Sequence, residues 1–202
     1  MKILRIDSSI LGDHSISLQL TAAIVASLRQ AHPAAEIVHR NLTDEPANHL
    51  TAAEFLAFQG TPPEGDLAKL QVSRNTQWLE EFLAADVVVL GAPMYNFTLP
   101  SQLKAWLDRL AVPGQTFAYS DKGVQGLAGG KRVIVASTRG GRYGEGEPAA
   151  PLDHQETYLR GFLGFLGITD ITFIRAEGVG LSPAARDAAI KAALVEIDQL
   201  AA

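Results

Sequence analysis

The stretch "DVVVLGAP", residues 86–93, is apolar from Val87 to Leu90 without any polar alternation. A strand with one face in water alternates polar and apolar residues. An unbroken run instead fits a strand covered on both faces, as in a parallel sheet. Directly after it comes "MYNFTLP", residues 94–100, an apolar and aromatic loop. Pro100 to Leu110 then reads as a helix with proline near its first turn. Loops are ordinarily polar. One that presents Met94, Tyr95 and Phe97 at the carboxyl end of a strand is either covered by another element or holds something flat and aromatic.

The same alternation continues on both sides of this unit. "KILRID" (2–7), "EIVHRNL" (36–42), "KRVIVAST" (131–138) and "ITDITFIRAEGV" (168–179) read as strands. Between them lie helical patterns. Ser15 to Ala31 repeats Leu18, Ala22, Val25 and Leu28 at helical spacing, and Pro33 pushes His32 out of the helix. Thr51 and Glu54 form a capping-box signal for a short helix. Asp66 to Ala85 carries Trp78, Leu79, Phe82 and Leu83 on one side. Leu152 to Leu166 is followed by Gly167 as a stop, and Ser182-Pro183 opens a last helix. Five strands alternating with helices predict an α/β fold. The expected architecture is a three-layer sandwich around a five-stranded parallel sheet of order 2-1-3-4-5.

The totals fit one domain over residues 1–202, with 47% hydrophobic residues and a formal charge of -5. Mild acidity argues against a nucleic-acid partner, which favours a basic face. There is no cysteine, so disulfides and thiolate chemistry are excluded, and a reducing cytoplasm is the expected location. "MKILRIDSS" reads as a strand and not as a signal peptide. No run of roughly 18 apolar residues predicts a membrane span.

In such a sheet, ligands bind outside the carboxyl ends of the strands where the strand order reverses. The loop after the first strand, "DSSILGDHSIS", clusters Ser8, Ser9, Ser15 and Ser17 before a helix. Free amides at a helix start favour an anion, and hydroxyls add donors without charge. No lysine or arginine lies in this loop, which suits a phosphate monoester; Ser15 is equally well read as a plain N-cap. In the loop after the third strand, Asn96 offers a donor and an acceptor between the flat surfaces of Tyr95 and Phe97. These aromatics suit a ring with polar edges, or else they fill core or an oligomer interface, and a pocket shared between subunits would make both true. After the fourth strand, Gly140 and Gly141 allow close backbone approach or positive φ. "GLAGGKR" (126–132) lacks P-loop spacing and precedes a strand. No dinucleotide fingerprint or nucleophile elbow is present. His14, His32, His39, His49 and His154 show no metal-ligand spacing.

Together, "SSILGDHSIS", "APMYNFTLPSQLKAWLD", "STRGG", "FLGFLGI" and "FIRAEG" resemble the FMN-dependent NADH-azoreductases, which are also quinone reductases. The resemblance covers nearly the whole chain, and "PMYNF" followed by P-x-Q-L-K-x-[WYF]-[LIF]-D is its most specific part. It implies a flavodoxin-like homodimer with one FMN per subunit near the interface. Ser9, Ser15, Ile16 and Ser17 match the family's phosphate cradle. Met94, Tyr95, Asn96 and Phe97 match its flavin-edge loop. Thr138, Arg139, Gly140 and Gly141 match the segment beside the pyrimidine side of the ring, with Thr138 keeping a hydroxyl where many relatives have serine. Tyr119 and Phe162 match positions lining the substrate pocket, the latter supplied by the partner subunit.

The implied activity is NADH-driven two-electron reduction of quinones and reductive cleavage of azo compounds. The flavin carries the chemistry, donor and acceptor use one face in turn, and no side chain acts as nucleophile or obligatory base. A one-electron flavodoxin-type carrier, a flavin-binding regulator and an NAD(P)H-dependent flavin reductase are the alternatives. The loop "RYGEGEPAAPLDHQE" leaves acceptor preference open.

Overall fold

In the computed structural model, which describes residues 1–121 and 123–200, the strands run β1 (Lys2–Asp7), β2 (Glu36–Asn41), β3 (Val87–Pro93), β4 (Phe117–Ser120), β5 (Gly123–Gly126), β6 (Arg132–Arg139) and β7 (Asp170–Glu177). The helices are α1 (Ile16–Ala31), α2 (Ala52–Phe58), α3 (Asp66–Ala84), α4 (Ser101–Leu107), α5 (Gln155–Phe165) and α6 (Pro183–Asp198). Five strands form one parallel sheet of order β2-β1-β3-β6-β7. Leaving out the β4–β5 pair, that is the expected 2-1-3-4-5.

The apolar run of β3 is explained by its place at the centre of this sheet. All its residues are buried, and successive side chains face opposite layers. Val88, Leu90 and Ala92 join α3, α4 and α5 through Phe82, Trp106 and Leu163. Val87 and Val89 join α1 and α6 through Leu20, Ile24 and Ile197. The sheet is therefore sandwiched between two cores. β1 and β3 approach closely at Gly91, where a Cβ would lie 2.9 Å from an Asp7 carboxylate oxygen.

Helix starts follow their sequence signals. Ser15 caps α1, Ser182 caps α6 with Pro183 beside it, and Thr51 with Glu54 forms a complete capping box on α2. The buried face of α1 differs from the expected one. Val25 and Leu28 are buried, but Ala22 is exposed, and Ile16, Leu20 and Ile24 complete the stripe. Burial of polar Thr21 explains the shift, because its hydroxyl donates to buried Asp7 at 2.6 Å. The antiparallel β4–β5 hairpin was not anticipated from sequence. It packs on the end of α5, where Phe117 meets Phe165 at a centroid distance of 4.7 Å.

Candidate functional site

The carboxyl ends of β1, β3 and β6 converge on one open cleft of about 200 Å³. Ser9, Ser15 and Ile16 line it from the first loop, Met94 and Tyr95 from the second, and Thr138, Arg139 and Gly140 from the third. The sheet order reverses here, because β1 sends its chain to the edge strand β2 while β3 leads to β6.

The first loop is anchored from below. Ser8 donates to the Gly91 carbonyl at 2.6 Å. Ser15 Oγ accepts the Leu18 amide at 3.2 Å and lies 3.0 Å from Ser17 Oγ. Ser15 is thus an N-cap, and it also lines the cleft. Among the described residues, the amides of Ile16 and Ser17 donate to no protein acceptor, as expected for a helix start. Neither α1 nor α6 has an acidic residue in its first turn, so nothing there neutralises the positive end of the dipole.

The second loop is a two-residue hairpin turn. Tyr95 and Thr98 exchange backbone hydrogen bonds of 3.0 and 3.1 Å. Asn96 and Phe97 between them have φ of 47° and 71°, the left-handed region that glycine normally fills. Asn tolerates this conformation; a phenylalanine there costs roughly 1–2 kcal/mol. Phe97 is nevertheless 43% exposed, its ring meeting Tyr143 edge-on. A strained, exposed aromatic beside a cleft is a feature that packing within this chain does not explain.

In the third loop, the Thr138 carbonyl accepts the Met94 amide at 2.8 Å, joining it to the second. Neither Gly140 nor Gly141 has positive φ, so of the two expected uses of glycine only close approach remains. A Cβ on Gly140 would meet no protein atom within 4 Å. The carbonyls of Gly140 and Gly141 accept the Gly180 and Gly178 amides, while among the described residues their own amides donate to nothing.

Arg139 lies in this loop, but its guanidinium is committed elsewhere. It is 1% exposed and meets Asp153, Glu156 and Glu177, with Ser137 and Gln155 accepting from Nε. Gln155 in turn donates to the Ala92 carbonyl at 2.7 Å. Glu156 also binds Arg175, and this hydrogen-bonded pairing pushes the Arg175 pKa up. The cluster therefore braces the cleft floor and offers no free charge to a ligand.

Not all expected residues meet in one chain. Ser17, Asn96, Phe97 and Gly141 flank the cleft in sequence without lining it, and Tyr119 and Phe162 do not line it either. Tyr119 stands 74% exposed on β4. Phe162 stacks on Tyr158 at 5.8 Å, and burial pushes the Tyr158 hydroxyl up to about 12. Sequence reading missed His14, Val179 and Arg186, which line the cleft. Val179 and Arg186 come from beyond β7, and no local pattern marks them. Among the described residues there is no cluster of potential metal ligands, and no helix is long and apolar enough to cross a membrane.

A family defined by the flavodoxin-like fold matches residues 1–201. The chain is 58% identical over 203 residues to the FMN-dependent NADH:quinone oxidoreductase of Azospirillum brasilense, covering 100% of this chain and 98% of that one. Its structure superposes on an azoreductase from Bacillus anthracis with a TM-score of 0.89 at 30% identity, covering 100% and 98% of the two chains. An FMN-dependent NADH-azoreductase from the same species, solved in complex with FMN, gives 0.88 at 25% identity, covering 99% and 96%. The convergence of three strand ends on one cleft, and similarity over the full length, make this chain a member of the FMN-dependent NADH:quinone oxidoreductase and azoreductase family, built on a flavodoxin-like fold.

Proposed function

We propose that the protein is an FMN-dependent oxidoreductase that uses NADH to reduce quinones and to cleave azo compounds. The carrying observation is the meeting, on one cleft, of an uncompensated helix start, an aromatic turn and a glycine with open space over it.

These residues fit FMN. The Ile16 and Ser17 amides with the Ser9, Ser15 and Ser17 hydroxyls would hold the phosphate. Met94, Tyr95, Asn96 and Phe97 would pack on and bond the ring, and Thr138, Gly140 and Gly141 would face its pyrimidine side. When bound, FMN supplies the acceptance of a hydride and the release of two electrons to an acceptor. The chain's part is to orient the ring and to keep one face open. The unpaired Gly140 and Gly141 amides would favour negative charge at the neighbouring ring edge. Donor and acceptor use the same face in turn, which gives ping-pong kinetics.

The working unit in this reading is a homodimer. One chain's cleft of about 200 Å³ falls below the roughly 300–1,000 Å³ that encloses a ligand. Exposed Tyr119, and Phe162 away from its own chain's cleft, are the groups a second copy would bring to it. The reading places the enzyme in the cytoplasm, where NADH is available.

A visible spectrum, then NADH under argon, then a quinone, tests the activity. Flavin absorbance that bleaches with NADH and returns with the quinone supports it. A colourless protein that takes up no FMN refutes it. A yellow protein that NADH cannot bleach assigns the fold to carrying electrons instead. A mass of one chain at micromolar concentration overturns the dimer.

A further inference from the structure

The loop that carries the candidate phosphate cradle contains no lysine or arginine. Folding supplies a cation from elsewhere. Arg186, in α6, lines the same cleft as Ser9, Ser15 and Ile16. Because α1 and α6 cover the same face of the sheet and both begin at its carboxyl edge, their first turns are neighbours.

Arg186 is exposed, and among the described residues it forms no salt bridge. Its position is unfavourable in isolation. It follows the Ser182 cap, its amide bonding the Ser182 carbonyl, so it sits near the positive end of the α6 dipole where anions are preferred. The first turns of α1 and α6 contain no carboxylate to offset it, and of the first loop's two carboxylates Asp13 is exposed and Asp7 is buried against Arg5 and Thr21, neither lining the cleft. The other arginine of the cleft, Arg139, is saturated by its own carboxylates. A free guanidinium beside two helix starts is completed by a dianion.

Resting on the reading of this cleft as an FMN site, we propose that Arg186 pairs with the flavin's terminal phosphate and makes the chain selective for the phosphorylated flavin over riboflavin. Guanidinium and phosphate form charge-assisted, often bidentate hydrogen bonds. At an exposed site the pairing weakens with salt.

The test titrates the full chain, freed of flavin, with FMN and with riboflavin, at low and high sodium chloride. Arg186→Ala should weaken FMN binding roughly five- to tenfold, leave riboflavin within about twofold, and flatten the salt dependence. Arg186→Lys should keep most of that dependence as a point charge. Equal weakening of both flavins, or no weakening of FMN, overturns the proposal. Unchanged FMN affinity with a raised KM for NADH in the loaded variant would assign the guanidinium to the dinucleotide's pyrophosphate, and also overturns it. If the unaltered chain binds neither flavin, the FMN reading itself has failed.

Discussion

The Tyr95 hydroxyl lies 3.2 Å from Ser9 Oγ and accepts the Ile10 amide at 3.2 Å. This clasp joins the aromatic turn after β3 to the serine loop after β1, two segments 86 positions apart. It sets the distance between the groups proposed to hold the ring and those proposed to hold the phosphate. Tyr95→Phe keeps the ring surface and removes only the clasp. The expected result is a loss of about 1 kcal/mol in urea unfolding and an FMN affinity lowered a few-fold, both measured on the same preparation. An affinity unchanged by the substitution would show that the clasp does not position the site.

Gly140 should separate binding from stability. A Cβ there meets no protein atom within 4 Å, and its φ lies outside the left-handed region, so a side chain is expected to be tolerated by the fold. Gly140→Val should change unfolding free energy by less than about 0.5 kcal/mol, yet lower FMN affinity about tenfold or more, equivalent to about 1.4 kcal/mol. Fluorescence titration and urea melts decide. Full FMN affinity in this variant would mean the open space is solvent and not the place of a ligand.

The sheet was legible because its central strands carry unbroken apolar runs, all of β3 and Val133 to Ala136 of β6, and the capping residues Ser15, Thr51 and Ser182 stand where helices begin. The β4–β5 hairpin was not, since its half-exposed residues show no alternation and its stability comes from contact with α5. The three loops of the site could be located from the strand order, and their serines, aromatics and glycines named. The direction of a side chain could not. Arg139 sits in the right segment, but its guanidinium turns into a carboxylate cluster drawn from α5, β7 and the loop before α5. Arg186 reaches the cleft only through tertiary packing, a relation with no local signature.

The hairpin gives a prediction of its own. A Cβ on Gly126 would lie 2.1 Å from the Gly167 amide nitrogen and 2.3 Å from the Leu166 carbonyl carbon. Both are backbone atoms, so the hairpin must move. Gly126→Ala should destabilise by about 1–3 kcal/mol and make the 117–126 segment more susceptible to limited proteolysis. Tyr119 would be displaced with it, so the quinone KM should rise more than FMN affinity falls. Unaltered proteolysis and KM would show that the contact relaxes without shifting the hairpin.

The buried Glu54–Arg109 pair predicts how the fold responds to acid. Burial favours the protonated carboxyl of Glu54, but Asn75 and Thr51 donate to its oxygens and Arg109 lies 2.8 Å away. These outweigh burial and hold the Glu54 pKa below its ordinary value. A carboxylate that is more acidic folded than unfolded adds stability above its unfolded pKa, and loses it as pH falls through the folded one. Glu54→Gln removes that contribution and leaves Arg109 as a buried, unpaired charge, so the variant should be less stable by roughly 3–5 kcal/mol near neutrality. The gap between the two proteins should stay level down to about pH 4.5 and narrow below it. Urea midpoints between pH 3 and pH 8 measure this. A gap that stays constant to pH 3 would mean that the carboxyl titrates alike in both states, and one that widens in acid would mean that burial outweighs the donors.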